Sequence, residues 1–202
     1  VRVPAENLLG EEGGAFAVAQ TRLGGGRVHH AMRTVGLAQR ALDMMCERAL
    51  SRQTKGSLLA EKQAVQHMIA DSYAQLLQFR LIVLYTAWQI DKYQNYLKVR
   101  KDIATIKVLT PTVLEDIARR AIQIHGALGM TNELPLGGMM VGGMALALAD
   151  GPTEVHKDTV ARQLLRQYKP AEGLWPSAYL PPKREAAREK LARLIDLEAA
   201  EL

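Results

Sequence analysis

The sequence predicts an all-α protein, an up-and-down helical bundle that packs around one core. Apolar residues make up 48% of the 202 residues and aromatic residues only 5%, while Ala, Leu, Gln and Arg are plentiful, a composition typical of helices. Apolar positions recur at helical spacing through three long segments, and Gly or Pro lies between the segments. A chain of this length can bury one sizeable core.

The first residues predict a connector and not a helix. Residues 1–3 alternate like the end of a strand and Pro4 stops the pattern, so we expect a strand remnant at the N-terminus. A short helical piece over residues 15–23 then leads to Gly24-Gly25-Gly26. These glycines lack the spacing of a dinucleotide fingerprint. We interpret them as a flexible helix junction or as a point of close approach to a bulky group.

Three long helices are predicted over residues 27–51, 60–96 and 100–124. Pro111 lies inside the third helix, where we expect a kink and not a stop. The expected buried stripes are Val28, Ala31, Met32, Val35, Ala38, Leu42, Met45 and Ala49; Val65, Met68, Ile69, Ser72, Leu76, Phe79 and Val83; and Ile103, Ile106, Thr110, Val113, Ile117, Ala121 and Ile124.

The C-terminal third predicts shorter helices. A Gly- and Met-rich helix runs from Pro135 to Leu148, a second helix covers residues 153–168, and a Pro-containing linker over residues 173–182 precedes a last helix over residues 183–202.

Composition and charge weaken several functional classes. The net charge is +5, but no basic run alternates with aromatic residues, so nucleic acid is not an expected partner. No apolar run reaches the roughly 18–20 residues of a membrane span. The single Cys46 rules out an intrachain disulfide, and His125 has no second ligand at metal-binding spacing, so no metal site is expected. Because the sequence begins with Val1 and not with an initiator Met, we expect it to be a fragment of a longer protein.

The sharpest break in the pattern falls at Asp150-Gly151-Pro152. Gly151 frees the backbone, and Pro152 suits the start of the helix that follows. Asp150 therefore lies beside a helix N-terminus, whose dipole favours negative charge. Two interpretations remain open for this residue: a helix cap or a positioned carboxylate base.

Five segments, in order along the chain, resemble the C-terminal helical domain of the acyl-CoA dehydrogenase family, a four-helix bundle. The resemblance implies that residues 1–13 end a middle β-domain and its connector, that residues 14–170 form the bundle, and that residues 171–202 add a linker and an extra C-terminal helix. The segments are Val1 to Gly10, Gly36 to Asp43, Ser51 to Gly56 with Gln63, Gln123 to Gly129, and Asp150 to His156.

The resemblance implies an FAD-dependent enzyme that converts an acyl-CoA thioester to the trans-2-enoyl-CoA. A carboxylate removes the α-proton while the β-hydrogen leaves as hydride to the flavin. Because the α-proton is only weakly acidic, the base must be desolvated and close, and the enolate oxygen needs hydrogen-bond donors. An electron-transferring flavoprotein is the implied electron acceptor. The implied assembly is a homodimer or homotetramer, and the implied compartment is the bacterial cytoplasm or the mitochondrial matrix.

The resemblance also assigns residues. Asp150 matches the catalytic base, where most members carry Glu, and Gly151 and Arg27 lie on the substrate side. Arg27 could instead pair locally with Glu11. The implied cofactor contacts are Arg52, Thr54, Gln63, Gln123, Gly126, Ala127, Thr153 and Glu154.

Three features depart from the family pattern. Lys55 replaces an aromatic residue, Glu154 replaces a Gln and would repel phosphate, and residues 137–149 are small and flexible where the family has aromatic or Arg side chains. We interpret the last feature as room for a long or bulky acyl group. Two alternatives stay open: an acyl-CoA oxidase, and a non-catalytic helical subunit that completes a partner's flavin site or builds the oligomer.

Overall fold

The computed structural model describes residues 1–171 and 178–200, which are all-α apart from one small hairpin. Three 3₁₀ turns, Ala5–Asn7, Leu59–Glu61 and Gly126–Met130, join the longer elements. These elements are α1 (Ala15–Ser51), β1 (Gln53–Thr54), β2 (Ser57–Leu58), α2 (Gln63–Tyr93), α3 (Arg100–His125), α4 (Leu136–Leu146), α5 (Thr153–Leu165) and α6 (Leu180–Ala200).

The core lies between α1, α2 and α3, with α4 packed mainly against α3. Every predicted position of the α3 stripe is buried, which confirms the helical spacing of that segment. On α1 the prediction was wrong for Met32, whose side chain is 44% exposed. The fully buried members include Ala31, Ala38, Ala41, Met45, Val83, Ile106, Leu114, Ile117 and Leu136.

The N-terminal strand prediction was wrong. Residues 1–4 belong to no strand among the described residues, and a 3₁₀ turn at Ala5–Asn7 follows them. An alternating pattern becomes a strand only when a neighbour accepts its ladder of hydrogen bonds, and the described part of the chain offers none here.

The triple glycine does not interrupt its helix. α1 runs continuously from Ala15 to Ser51, so the predicted junction at residues 24–26 is absent. The alternative interpretation, a close approach, holds at Gly26, where a Cβ would come 2.8 Å from Oδ2 of Asp150, while a Cβ on Gly24 would make ordinary contact with the ring of Tyr96 at 3.4 Å. Tertiary packing therefore outweighs the low helix propensity of glycine.

The polar break after α1 is a β-hairpin. Gln53 pairs with Leu58 and Thr54 with Ser57, and the turn residues Lys55 and Gly56 have φ values of 48° and 80°. Positive φ at both central residues matches the twist of a two-residue hairpin. α2 consequently begins at Gln63, three residues later than predicted.

The chain divides into two compact units, residues 1–164 and 165–202. In the first unit, α3 continues through the buried Pro111 as expected, and α4 is one turn shorter than predicted. In the second unit, α6 begins at Leu180, so the last residues of the predicted linker open a helix. Half of that linker, residues 173–177, lies outside the described residues, as do residues 172, 201 and 202.

Candidate functional site

A sharp turn between α4 and α5 holds Asp150. Asp150 and Gly151 follow each other in the left-handed region, with φ values of 56° and 103°. Aspartate tolerates this conformation better than most residues, and glycine adopts it freely. The amide N–H of Thr153 donates to the carbonyl oxygen of Ala147 over 3.0 Å, and its hydroxyl donates to the same oxygen over 3.3 Å. These bonds close the turn and start α5.

Two side chains hold the main-chain carbonyl of Asp150. Nε of Arg27 donates to this oxygen over 3.0 Å, and Nε2 of His156 lies 3.2 Å from it. Nη1 of Arg27 also donates to Oε1 of Gln20 over 3.2 Å. Arg27 therefore orders the turn that carries Asp150 and does not make the alternative local pair with Glu11.

The carboxylate of Asp150 points away from the helix that follows it. Its Oδ2 lies 3.3 Å from Nε2 of His30, and the Asp150 side chain is only 15% exposed. The first N–H groups of α5 bond to main-chain oxygens, those of Thr153 to Ala147 and of Val155 to Pro152. The carboxylate is thus not serving as a helix cap.

The surroundings of the carboxylate are basic and desolvated. Lys107 is fully buried, and its Nζ donates to the carbonyl oxygen of Leu146, the last residue of α4. Burial lowers the pKa of Lys107, and the charge of Asp150 opposes that shift. Burial likewise lowers the pKa of Arg27, against the pull of Asp150.

The two nearby histidines are favoured in their neutral forms. Burial lowers the pKa of His30, and the charge on Asp150 counteracts part of that effect. Burial also lowers the pKa of His156, while its hydrogen bond to the Asp150 carbonyl works in the opposite direction. Nε2 of His156 is hydrogen-bonded to the main-chain carbonyl of Asp150, and Nε2 of His30 lies near its carboxylate.

Two cavities flank the turn. The first, of about 460 Å³, is lined by His30, Leu37, Gly138, Gly142 and Ala149 among others. The second, of about 400 Å³, is lined by Gln20, Arg27, Arg100, Gly151 and His156 among others. Asp150 lies between residues that line the two cavities, since Ala149 borders one and Gly151 borders the other.

The residues predicted to bind the cofactor lie on three segments. Arg52, Thr54 and Gln63 lie around the hairpin, Gln123, Gly126 and Ala127 at the end of α3, and Thr153 and Glu154 at the start of α5. Within the described residues, no hydrogen bond or ion pair joins one of these segments to another. The exposed members are Arg52, Gln63, Gln123, Gly126, Ala127 and Glu154. By contrast, the Thr153 hydroxyl is taken up by the turn.

The structure adds three residues that the sequence analysis did not assign to the site: His30, Lys107 and His156. Lys107 could have been found, because it lies one turn from both Ile103 and Thr110 on the buried stripe, where an unpaired lysine is costly. His30 follows Arg27 at i+3 and therefore shares its face of α1. Nothing local marks His156, whose partner is a backbone carbonyl six residues earlier.

The described residues contain neither a cluster of metal ligands nor a membrane-spanning helix. No three His, Cys, Asp or Glu side chains in this part of the chain come together as metal ligands. Among the described helices, none combines the length and the apolar character that crossing a membrane requires.

Comparison with known families gives a match over most of the chain. The family described as "Acyl-CoA dehydrogenase, C-terminal domain" matches residues 13–165. "Probable acyl-CoA dehydrogenase FadE2" of Mycobacterium tuberculosis is 46% identical over 169 residues, which is 84% of this chain and 41% of that protein. "Acyl-CoA dehydrogenase family member 11" of Rattus norvegicus is 46% identical over 166 residues, 82% of this chain and 21% of that protein. The chain thus spans less than half the length of these relatives.

Solved structures give the same fold. A Mycobacterium abscessus chain assigned to the acyl-CoA dehydrogenases matches with a TM-score of 0.79 and 42% identity, over 84% of this chain and 41% of that one. A chain in a structure described as the electron-transferring flavoprotein of Acidaminococcus fermentans matches with a TM-score of 0.75 and 30% identity, over 81% of this chain and 42% of that one. A chain in the FAD complex of PigA matches with a TM-score of 0.74 and 26% identity, over 82% of this chain and 43% of that one.

Proposed function

This chain belongs to the acyl-CoA dehydrogenase family, whose C-terminal domain it matches, and we propose that it supplies the catalytic base of a flavin-dependent acyl-CoA dehydrogenase. The observation that carries the proposal is Asp150 itself. Its carboxylate is largely buried, its neighbours Ala149 and Gly151 line two cavities, and it does not cap α5. Its backbone is held by Arg27 and His156. A carboxylate held in this way needs a role other than helix stabilisation.

In the proposed reaction, Asp150 takes the α-proton of an acyl-CoA thioester. The Cα–H bond breaks, an O–H bond forms on the carboxylate, and the electron pair moves towards the thioester carbonyl. The N–H groups of Asp150 and Gly151 bond to no other described residue in the structure. They are therefore available as donors to the thioester oxygen as negative charge develops on it.

The two cavities support a division of the substrate between them. The second cavity has Arg27, Arg100 and Gln20 in its lining, which suits the polar, phosphate-bearing part of a CoA thioester. The first cavity is largely apolar, and Gly138 and Gly142 in its lining leave more room because they have no side chains. An acyl group of long or bulky shape would fit against that lining, and Asp150 would lie at the thioester between the two parts.

The residues that would face the cofactor fit a group that carries phosphates and hydroxyls. Arg52 is exposed beside the hairpin and presents a planar fork of donors, while Gln63 and Gln123 offer exposed amides. Gly126, with φ of 67°, turns the chain at the end of α3 so that Ala127 offers its backbone N–H. When bound, FAD would supply the hydride acceptor for the β-hydrogen. Glu154 is exposed and would suit hydroxyl groups rather than phosphates.

The wider context of the enzyme is part of the proposal. A structure described as an electron-transferring flavoprotein contains a similar chain, which supports such a protein as electron acceptor. The exposed positions of Arg52 and Gln123 suit a cofactor shared between subunits of a homodimer or homotetramer. The similar proteins come from bacteria and animals, in keeping with a bacterial cytoplasm or a mitochondrial matrix.

The test uses the protein in its full natural length. Its absorption spectrum is recorded, and a panel of acyl-CoA thioesters is then added without oxygen. We expect flavin bands that bleach with at least one thioester, and a rate that falls about 10²- to 10⁴-fold in Asp150→Asn, the range for loss of a general base. Bleaching at the wild-type rate in Asp150→Asn would refute the base assignment and favour a non-catalytic bundle. Rapid reoxidation of the reduced flavin by O₂ would instead indicate an oxidase.

A further inference from the structure

One face of α1 reaches both ends of Asp150. Arg27 and His30 are three residues apart and therefore neighbours on the helix surface. Arg27 holds the main-chain carbonyl of Asp150 over 3.0 Å, and His30 approaches the carboxylate over 3.3 Å. Because both contacts come from the same rigid helix, the position of the carboxylate relative to its backbone is determined by α1.

The atoms of this contact have no alternative partners. Oδ2 of Asp150 is inaccessible to solvent and makes no hydrogen bond to any described residue, because its 3.3 Å contact with Nε2 of His30 lies outside hydrogen-bond geometry. Nδ1 of His30 is equally buried and bonds to none of them. A neutral imidazole that carries its hydrogen on Nε2 would satisfy Oδ2 after a small shift towards it, and only Nδ1 would then lack a partner.

Charged groups around His30 also favour that arrangement. Besides Asp150, the groups that act on it are Arg33 and His29 on α1 and Lys107 on α3. All three oppose a positive charge on the imidazole, as burial does, while Asp150 alone favours one. The neutral form of His30 is therefore favoured beside the carboxylate.

We propose that His30 is a positioning residue for Asp150. The imidazole of His30 donates its Nε2–H to Oδ2 of Asp150 and thereby holds the carboxylate between the two cavities. The inference rests on the proposed function, because it assigns His30 a role in presenting the base. His30 does not take the α-proton. It occupies one carboxylate oxygen, and the 15% exposure of the Asp150 side chain consequently lies on its other atoms.

The first experiment compares two amides at position 30 in the full-length, flavin-loaded protein. The amide nitrogen of Gln can reach the place of Nε2, whereas that of Asn reaches only the place of Nδ1. We expect His30→Gln to reduce the flavin at a rate within about threefold of the wild type. His30→Asn should be slower by up to about 100-fold, the scale of a 1 Å misplacement, with unchanged affinity for the thioester.

The matched control is His29→Asn, which changes the exposed neighbour on the same helix and should leave the rate unchanged. Thermal unfolding is measured for all three variants. A His30→Asn protein as fast as the wild type would overturn the proposal. Equal losses in His30→Gln and His30→Asn would also overturn it, since they would show that the imidazole itself is required.

A second measurement needs neither flavin nor turnover. Deuterium exchange at the imidazole C2 position, followed by mass spectrometry across pH, reports the titration of each histidine. The carboxylate of Asp150 raises the pKa of His30 against the effect of burial, so Asp150→Asn should move the His30 midpoint to lower pH. An unchanged midpoint would overturn the contact. If Asp150→Asn retains full activity while the midpoint moves, the proposed function fails and the contact stands.

Discussion

Gly26 lies directly against the carboxylate of Asp150. A Cβ added to Gly26 would come 2.8 Å from Oδ2 of Asp150, closer than real side chains approach such an atom. The same Cβ would come 2.9 Å from Nη1 of Arg22, which is the end of a flexible side chain and can move. The third glycine of the triple is therefore the residue that leaves room for the carboxylate beside α1.

Gly26→Ala should consequently impair flavin reduction. The added methyl group displaces the carboxylate of Asp150 or the turn that carries it, and we expect a loss of up to about 100-fold in the rate at saturating thioester. Gly25→Ala is the control, because its Cβ would meet only the hydroxyl of Tyr96 at 3.6 Å. Both changes raise helix propensity equally. Equal rates in the two variants would contradict the close packing at Gly26.

Gly143 allows α4 to pack closely on α3. A Cβ there would come 2.6 Å from Cγ and 3.3 Å from the backbone nitrogen of Glu115. Gly143→Ala should lower the free energy of unfolding by about 1–3 kcal/mol, the usual cost of overpacking, as measured in urea. Gly142→Ala has open space around its Cβ and should instead stabilise the protein by roughly 0.5–1 kcal/mol.

Lys107 ties the end of α4 to the core. Lys107→Met retains most of the apolar stem but leaves the buried carbonyl of Leu146 without its donor, so the free energy of unfolding should fall by about 1–3 kcal/mol. The turn that starts at Leu146 should also shift, which lowers the rate of flavin reduction. Lys101→Met, on a more exposed part of α3, serves as the control and should change neither quantity.

The stability of the protein should fall as the pH drops below 6.5. Burial lowers the pKa of His156 from 6.5, so the unfolded chain binds a proton in a pH range where the folded chain does not. Protonation then favours the unfolded state, and the melting temperature decreases from pH 6.5 downwards. His156→Gln should flatten this decrease, whereas His67→Gln, on an exposed part of α2, should leave it intact. If the melting temperature depends on pH in the same way in both variants, His156 is not the cause of the decrease.

Long helices with a regular apolar stripe could be predicted well. Each residue of the predicted α3 stripe from Ile103 to Ile124 is buried, since a helix of this length must cover one continuous face. At residues 24–26 the flexible-junction interpretation was wrong, since the three glycines lie inside α1, whereas the other interpretation, a close approach, holds at Gly26. Local propensity disfavours helix there by about 1 kcal/mol per glycine, but the carboxylate of Asp150 leaves no room for a side chain at Gly26.

The candidate site divides in the same way. The sequence alone determined the helical fold, the break at Asp150 and the resemblance that assigns a base to this position, because these depend on residues close together in the chain. Only the tertiary structure decided that Arg27 and His30 contact this residue and that Lys107 binds the carbonyl of Leu146 before the turn. Such contacts depend on how α1 and α3 pack against the turn after α4. No periodicity within a single helix carries that information, since it reveals which face is buried but not which atoms lie opposite.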